Sequence, residues 1–398
     1  MNFEQLNDLA KFYFDKKDFQ SALNILKSTE LPNEYIPNLA KCYYYTNQAD
    51  KALECILPLP KTTELLIDTA LYYNAIGNHD KAFNIYLNLD QTNDKVKFNI
   101  AWHYLRNGDF KKGFNLIQSG SKVRAWGNEY IYLEQNKLDI NKRWKGNYVD
   151  NLLLILEGGL GDQIIFLRWA NFLQQKCKHL TIACHESLLR LLINSNYNCI
   201  SLNFFESLHY DSYVPAMSIP SILELNHPTE EVNFPYINSF AEKYIVKQMD
   251  FVAKGRKKIG LKFYGNKQFE HEQFRSPPRN ELEKLSKYGQ CFSLQLEEKE
   301  NVFPNCNVLI KDWQDTYSVF KGLDLLVTSC TSTAHLAGAM GLKCVVLVPL
   351  VPYFVWASDN QKWYPENVEV IRQTKYNDWG EAIDKLNLYI EKSFCELY

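Results

Sequence analysis

Along the first 118 residues, small and apolar positions return at helical spacing within a longer period. The segments LAKFYFDKKDFQSAL, LAKCYYYTNQADKAL, TALYYNAIGNHDKAF and IAWHYLRNGDFKKGF align on one another, so that Ala10 and Ala22 recur as Ala40 and Ala52, Ala70 and Ala82, then Ala101 and Gly113. The offset between repeats is 30 or 31 residues. Small residues twelve apart let two antiparallel helices approach closely, and polar turns such as Asp15 to Asp18 and Gly77 to Asp80 separate them. The pattern predicts four helical hairpins in a linear array. Units of such an array touch mainly their neighbours, so the array is expected to be largely separable from whatever follows it. Its aromatic residues read as inter-helix packing or as the wall of a groove for a partner, and position in the repeat leaves both open.

Residues 119–148 hold Trp126, Trp144 and Gly146 among charged residues and read as a packed connector. At Asn151 the texture changes. NLLLILEGGLGDQIIFLRWANFLQQ is a short apolar strand, a glycine turn and an amphipathic helix; LTIAC (180–184) and DSYVPA (211–216) follow as further strands. From residue 251 a second alternation begins, through KKIGLKFYG, CFSLQLE, CNVLI, DLLVTSC and KCVVLVP. The expected fold class is α + α/β: helical repeats over 1–118, a connector over 119–148, and two Rossmann-like units over 149–250 and 251–398 with a cleft between them.

Composition fits a folded, multidomain chain: 398 residues with 46% apolar and 23% charged side chains exceed one ordinary core. The net charge of −2 provides no global positive field, so nucleic acid is not an expected partner. Ten scattered cysteines form no CxxC pair and are expected to be reduced thiols in a cytoplasmic protein. The N-terminal stretch has no basic segment followed by an apolar run, and no run of about 18 apolar residues occurs, so neither secretion nor a membrane span is expected.

Two loops carry candidate chemistry. Gly158-Gly159-Leu160-Gly161-Asp162 lets backbone approach a ligand, and the helix after it favours a negative group. The loop is neither GxGxxG nor a P-loop ending in GK[ST], so nicotinamide binding and ATP hydrolysis lose their main support. A tight strand-to-helix connection would explain the glycines equally well. Asp162, however, stands where open α/β sheets bind ligands and could take a proton from a hydroxyl. In DLLVTSCTSTAHLAGAMGLKCVVLVP (324–349), the hydroxyls of Thr331, Ser332 and Thr333 and the helix N-terminus can cradle a phosphate; ordinary N-capping needs only one of them. His335 lies beside that cradle, where the positive end of the helix would hold it neutral.

The repeats resemble tetratricopeptide repeats, shortened by a few residues. GGLGDQIIFLRWA (158–170), GLKFYGNKQFEHEQFRSPP (260–278), CTSTAHLAGAMG (330–341) and the tail KWYPENVEVIRQ (362–373) with Asp378 and Trp379 resemble the heptosyltransferase-like inverting glycosyltransferases of family nine, over about residues 144–390. More closely, they resemble the subgroup in which helical repeats precede such a domain. This resemblance implies a GT-B fold, with the acceptor side on the first unit and the nucleotide-sugar on the second. It implies Asp162 as the catalytic base and His335 as a second catalytic residue. The donor contacts would come from Gly159, Gly161, Gln163, Lys262, Arg275, Gln295, Thr331, Ser332 and Thr333, Lys262 or Arg275 reaching the phosphates. Cys330 stands where the family usually has aspartate. The implied activity is inverting transfer from a nucleotide-sugar to a glycan or protein acceptor, without a metal or other cofactor, the repeats aiding acceptor recognition. The competing readings are an inactive scaffold, to which Cys330 points, and a nucleotide-sugar epimerase.

Overall fold

The computed structural model describes residues 2–266, 272–296, 302–357, 363–364 and 367–395. Residues 267–271 of the 260–278 segment, and 362, 365 and 366 of the tail motif, lie outside the described residues.

Eight helices form four antiparallel hairpins: α1 (Phe3–Asp15) with α2 (Phe19–Leu26), α3 (Ile36–Tyr45) with α4 (Ala49–Ile56), α5 (Thr63–Ala75) with α6 (His79–Leu87), and α7 (Asp94–Arg106) with α8 (Phe110–Ile117). The recurring alanines sit where helices touch: Ala22, Ala40, Ala52, Ala70, Ala82 and Ala101 are all fully buried. At the last such position even a methyl is too large, since a Cβ on Gly113 would stand 2.6 Å from Leu105 Cδ2. Each hairpin turn passes through the left-handed region at the same place, with φ of 60° at Lys17, 59° at Asn47, 86° at Gly77 and 81° at Gly108. Two of the four use glycine, which bears that conformation without a Cβ clash. Asp18 and Asp109 then cap α2 and α8 by accepting from Ser21 N and Lys112 N.

The rest is built on two wholly parallel sheets with helices around them. β1 (Val149–Ile155), β2 (Cys177–Cys184), β3 (Cys199–Ser201) and β4 (Ser212–Pro215) lie in the order β3-β2-β1-β4. β5 (Lys258–Lys262), β6 (Gln290–Ser293), β7 (Leu325–Ser329), β8 (Cys344–Val348) and β9 (Val368–Arg372) lie in the order β6-β5-β7-β8-β9. The central strands β7 and β8 are buried throughout, as parallel strands covered on both faces must be. The connector is packed: Trp126 and Trp144 are buried, and Trp144 N donates to Tyr213 O at 2.8 Å beside β4.

The core does not stop at residue 118. Leu105, Phe110, Phe114 and Ile117 of the fourth hairpin belong to the main core together with Phe166, Phe354 and Trp363. Trp102 meets the Tyr353 ring at 5.4 Å, and Arg106 Nε donates to Pro352 O at 3.1 Å. The expectation of a separable array is therefore corrected for this hairpin: its outer helix face is apolar and finds its partner in the α/β part. The first hairpin lies outside that core and packs on the second, in a satellite cluster of Ala10, Ala22, Leu23 and Leu26 with Cys42 of α3. No helix of the described residues is long and apolar enough to cross a membrane.

Candidate active site

In an open parallel sheet, loops leaving neighbouring strands in opposite directions part at a switch point and leave a crevice there. The first sheet has its switch between β1 and β4, the second between β5 and β7. The glycine loop leaves β1 and the Ser/Thr turn leaves β7, so both candidate motifs stand at switch points, and they face each other. A Cβ added at Gly161 would lie 3.2 Å from His335 Cδ2 and 3.5 Å from Ser332 Cα. Even a methyl there would press on the His335 ring, which would have to give by a few tenths of an ångström.

Asp162 is the third residue of the helix Leu160–Phe166, and its carboxylate is held from two sides. Gly159 N donates to Oδ2 at 2.9 Å, and the Tyr353 hydroxyl donates to Oδ1 at 2.7 Å. Gly158 has φ of 71°, and a Cβ there would press on Oδ2 at 2.9 Å. Burial raises the Asp162 pKa above the usual carboxylate value and the two hydrogen bonds oppose it. The carboxylate is thus fixed in direction and made more basic than a solvated aspartate. Burial and the neighbouring Asp162 charge push the Tyr353 hydroxyl well above its ordinary value, which keeps it a donor.

Across the crevice, Thr331 is the N-cap of the helix Ser332–Met340, yet its side chain makes no capping bond. Instead the hydroxyls of Thr328, Thr331 and Thr333 close a triangle, at 3.2, 2.8 and 2.6 Å. The triangle turns the threonine oxygens toward one another. The backbone N–H groups of the first helical turn and the half-buried Ser332 are left to face the crevice. Arg275 donates through Nη1 to Cys330 O at 2.9 Å and through Nε to Glu272. That link uses the backbone of residue 330, so it does not depend on which side chain stands there. Lys262, buried at the end of β5, donates to Leu294 O at 3.2 Å, and the buried Gln295 accepts from Tyr264 N at 3.3 Å.

His335 stacks on Trp356 at 4.9 Å and its Nδ1 lies 3.1 Å from the Tyr364 hydroxyl. Burial, then the charges of Arg168 and Arg275, hold it well below its usual pKa, so the ring is neutral. Gln163 is turned away from the crevice: its Oε1 accepts from His185 N at 2.9 Å and ties the glycine-loop helix to the end of β2.

Three participants carry no local signal in the sequence. Tyr353 is separated from Asp162 by 191 residues. Arg168 is fully buried against the rings of Tyr236, Trp363 and Tyr364 and donates to Pro228 O and Trp363 O, so it fastens the first unit to the tail of the second. Glu157, at the end of β1, accepts from Asn128 N at 2.6 Å and Glu129 N at 2.8 Å. Among the described residues, nine cysteines are free, and no group of three or more His, Cys, Asp or Glu is gathered for a metal.

No family model and no curated protein sequence matches the chain. Among solved structures it is similar to ADP-heptose lps heptosyltransferase II of E. coli, with 11% identity over 61% of this chain and 99% of that one, at a TM-score of 0.43. It is similar to a family 9 glycosyl transferase of Veillonella parvula DSM 2008, with 12% identity, 65% and 92% coverage and a TM-score of 0.40. A mutant O-GlcNAc transferase of Thermobaculum terrenum aligns over 92% of this chain and 94% of that one, with 8% identity and a TM-score of 0.23. At such distances the chemistry has to come from the site itself.

Proposed function

We propose that the chain is a GT-B glycosyltransferase that moves a sugar from a nucleotide-sugar to a glycan or protein acceptor with inversion. The observation that carries this reading is the meeting of the two switch-point loops: an oriented, raised-pKa carboxylate at Asp162 opposite an uncapped helix N-terminus flanked by Arg275. One side is suited to take a proton, the other to hold an anion.

In this mechanism Asp162 removes the proton from an acceptor hydroxyl. The hydroxyl oxygen bonds to the anomeric carbon as the bond from that carbon to the diphosphate oxygen breaks on the opposite face. The first-turn amides of the helix Ser332–Met340, with Arg275 and Lys262 nearby, stabilise the leaving diphosphate. His335, neutral and stacked on Trp356, serves as an uncharged hydrogen-bond partner beside it. The positive charge at the diphosphate comes from the chain's own groups, and activity is expected without an added divalent cation. The repeats contribute acceptor recognition.

A thermal-shift screen of nucleoside diphosphates, followed by nucleotide release from a panel of nucleotide-sugars with candidate acceptors, tests this. Release that depends on an acceptor and persists in chelator supports the reading. Nucleotide-sugar isomerised without release would make the chain an epimerase, and no nucleotide binding at all would make it a scaffold.

A further inference from the structure

Beyond the carboxyl ends of β8 and β9 lies a pocket that plays no part in the chemistry above. Separate parts of the chain wall it: Asn47 from the turn of the second hairpin, Ala75 from the end of α5, Gln273 from the segment next to Arg275, Leu350 after β8, and Gln373, Tyr376, Asn377 and Trp379 after β9. The cavity is about 170 Å³, below the roughly 300–1,000 Å³ of pockets that enclose a whole drug-sized ligand, so it has room for only a small part of an extended one. Strand carboxyl ends are where open α/β sheets place ligands.

Its chemistry is unusual for this chain. None of the lining residues is charged, although 23% of the sequence is. Four are carboxamides, each able to donate and to accept, and two of these hold atoms without a hydrogen-bond partner among the described residues: Asn47 Oδ1 and Gln273 Nε2. Asn47 Nδ2 donates to Asn377 Oδ1 at 2.6 Å, so the repeat array and the second α/β unit complete the pocket jointly. Tyr376 and Trp379 supply flat apolar faces with polar edges. Amides paired with aromatic faces, and no charge, match a ring with hydroxyls on its rim and C–H groups on its face. A phosphate or a carboxylate would find no cation here, and an aliphatic ligand would leave the amides unpaired.

We propose that this pocket binds a neutral sugar unit. Resting on the transferase reading, that unit is a remote part of an extended glycan acceptor whose reacting end lies at Asp162. Two segments join the places. Gln273 lines the pocket while Arg275, two residues on, reaches the Ser/Thr turn; Leu350 lines the pocket while Tyr353, three residues on, holds Asp162.

The test uses the full chain and saturation-transfer NMR with methyl glycosides of glucose, galactose and N-acetylglucosamine, with maltose and cellobiose, and with glucuronic acid and a short neutral peptide as controls. Gln273→Ala is combined with Asn377→Gly, since Asn377 has φ of 56° and glycine keeps that backbone. At least one neutral saccharide should bind at about 10 mM, and the double variant should weaken it about tenfold or more. Nucleoside diphosphate affinity, at the separate Ser/Thr turn, should stay unchanged and reports that the variant is folded. No neutral saccharide bound, binding undiminished in the folded variant, or a preference for glucuronic acid or the peptide overturns the proposal. Saccharide bound without any nucleotide binding would instead sink the transferase reading and leave the pocket standing.

Discussion

The hydroxyl of Tyr353, on the loop after β8, donates to Asp162 Oδ1 at 2.7 Å, so one α/β unit sets the direction of a carboxylate that belongs to the other. Trp102 of the fourth hairpin packs against the Tyr353 ring. The repeats therefore touch the candidate base through a single intermediate. Asp162→Asn should remove transfer by roughly 10²–10⁴-fold while nucleotide binding stays within a few-fold, because the proton is taken from the acceptor. Turnover at the wild-type rate would exclude Asp162 as the base.

Tyr353→Phe separates orientation from basicity. The hydroxyl lowers the Asp162 pKa against the rise due to burial, so its removal lets the carboxylate take up a proton at higher pH. The acid limb of kcat/KM should move to higher pH, with KM for the nucleotide-sugar nearly unchanged. A pH profile identical to wild type would disconnect Tyr353, and with it the repeats, from the base.

Arg275→Ala and Thr331→Ala should each weaken nucleoside diphosphate binding, the first by removing a cation and the second by opening the threonine triangle. Hydrogen bonds to charged groups are worth about 1.5–3 kcal/mol, so about tenfold or more is expected for Arg275. Cys330→Ala should bind within a few-fold of wild type, because Arg275 uses the carbonyl of residue 330. Calorimetry giving the wild-type constant in both of the first two variants would refute the cradle.

What the sequence made legible was whatever recurs or is contiguous. The alanines at 10, 22, 40, 52, 70 and 82 announced helix contacts because close approach demands a small residue at every repeat. The glycine loop and Ser/Thr turn announced themselves because strand, turn and helix follow one another along the chain. Tyr353, Arg168 and Glu157 were invisible for the opposite reason. The partners of Tyr353 and Arg168 are set by how the two α/β parts face each other, those of Glu157 by how the connector folds back on β1, and no local pattern encodes such contacts. The threonines show a subtler gap: the residue types pointed to hydroxyls facing a ligand, whereas Thr328, buried in β7, draws two of them inward.

Glu157 gives a prediction about stability. It is buried, and loss of solvation raises its pKa to about 7 despite the backbone N–H groups it accepts from. The folded state thus holds a proton that the unfolded chain, with the ordinary value of 4.5, has already lost. Between these two values stability falls as pH rises, by about 3 kcal/mol for a shift of this size. Glu157→Gln keeps an acceptor for Asn128 N and Glu129 N and removes the charge. Denaturant unfolding at pH 5 and pH 8 should show a smaller loss in the variant. An equal loss in both proteins would place the titration elsewhere.

The repeats divide into a part that can be removed and a part that cannot. A fragment beginning at Pro32 loses the first hairpin and uncovers Leu39, Cys42, Tyr43 and Tyr45 of the second, a satellite cluster outside the main core, and should remain monomeric with cooperative unfolding. A fragment beginning at Gly120 loses Phe110 and Phe114 from the main core and uncovers Phe354 and Trp363, which those rings meet edge-on. Truncating one buried phenylalanine to alanine typically removes about 3–5 kcal/mol from a total stability of only about 5–15. Deleting both, together with Trp102 and Leu105, exceeds what the remaining core can bear. Size-exclusion chromatography should find the second fragment aggregated and the first intact. A monomeric Gly120 fragment with an unshifted melting temperature would restore the repeats to the status of a separable array.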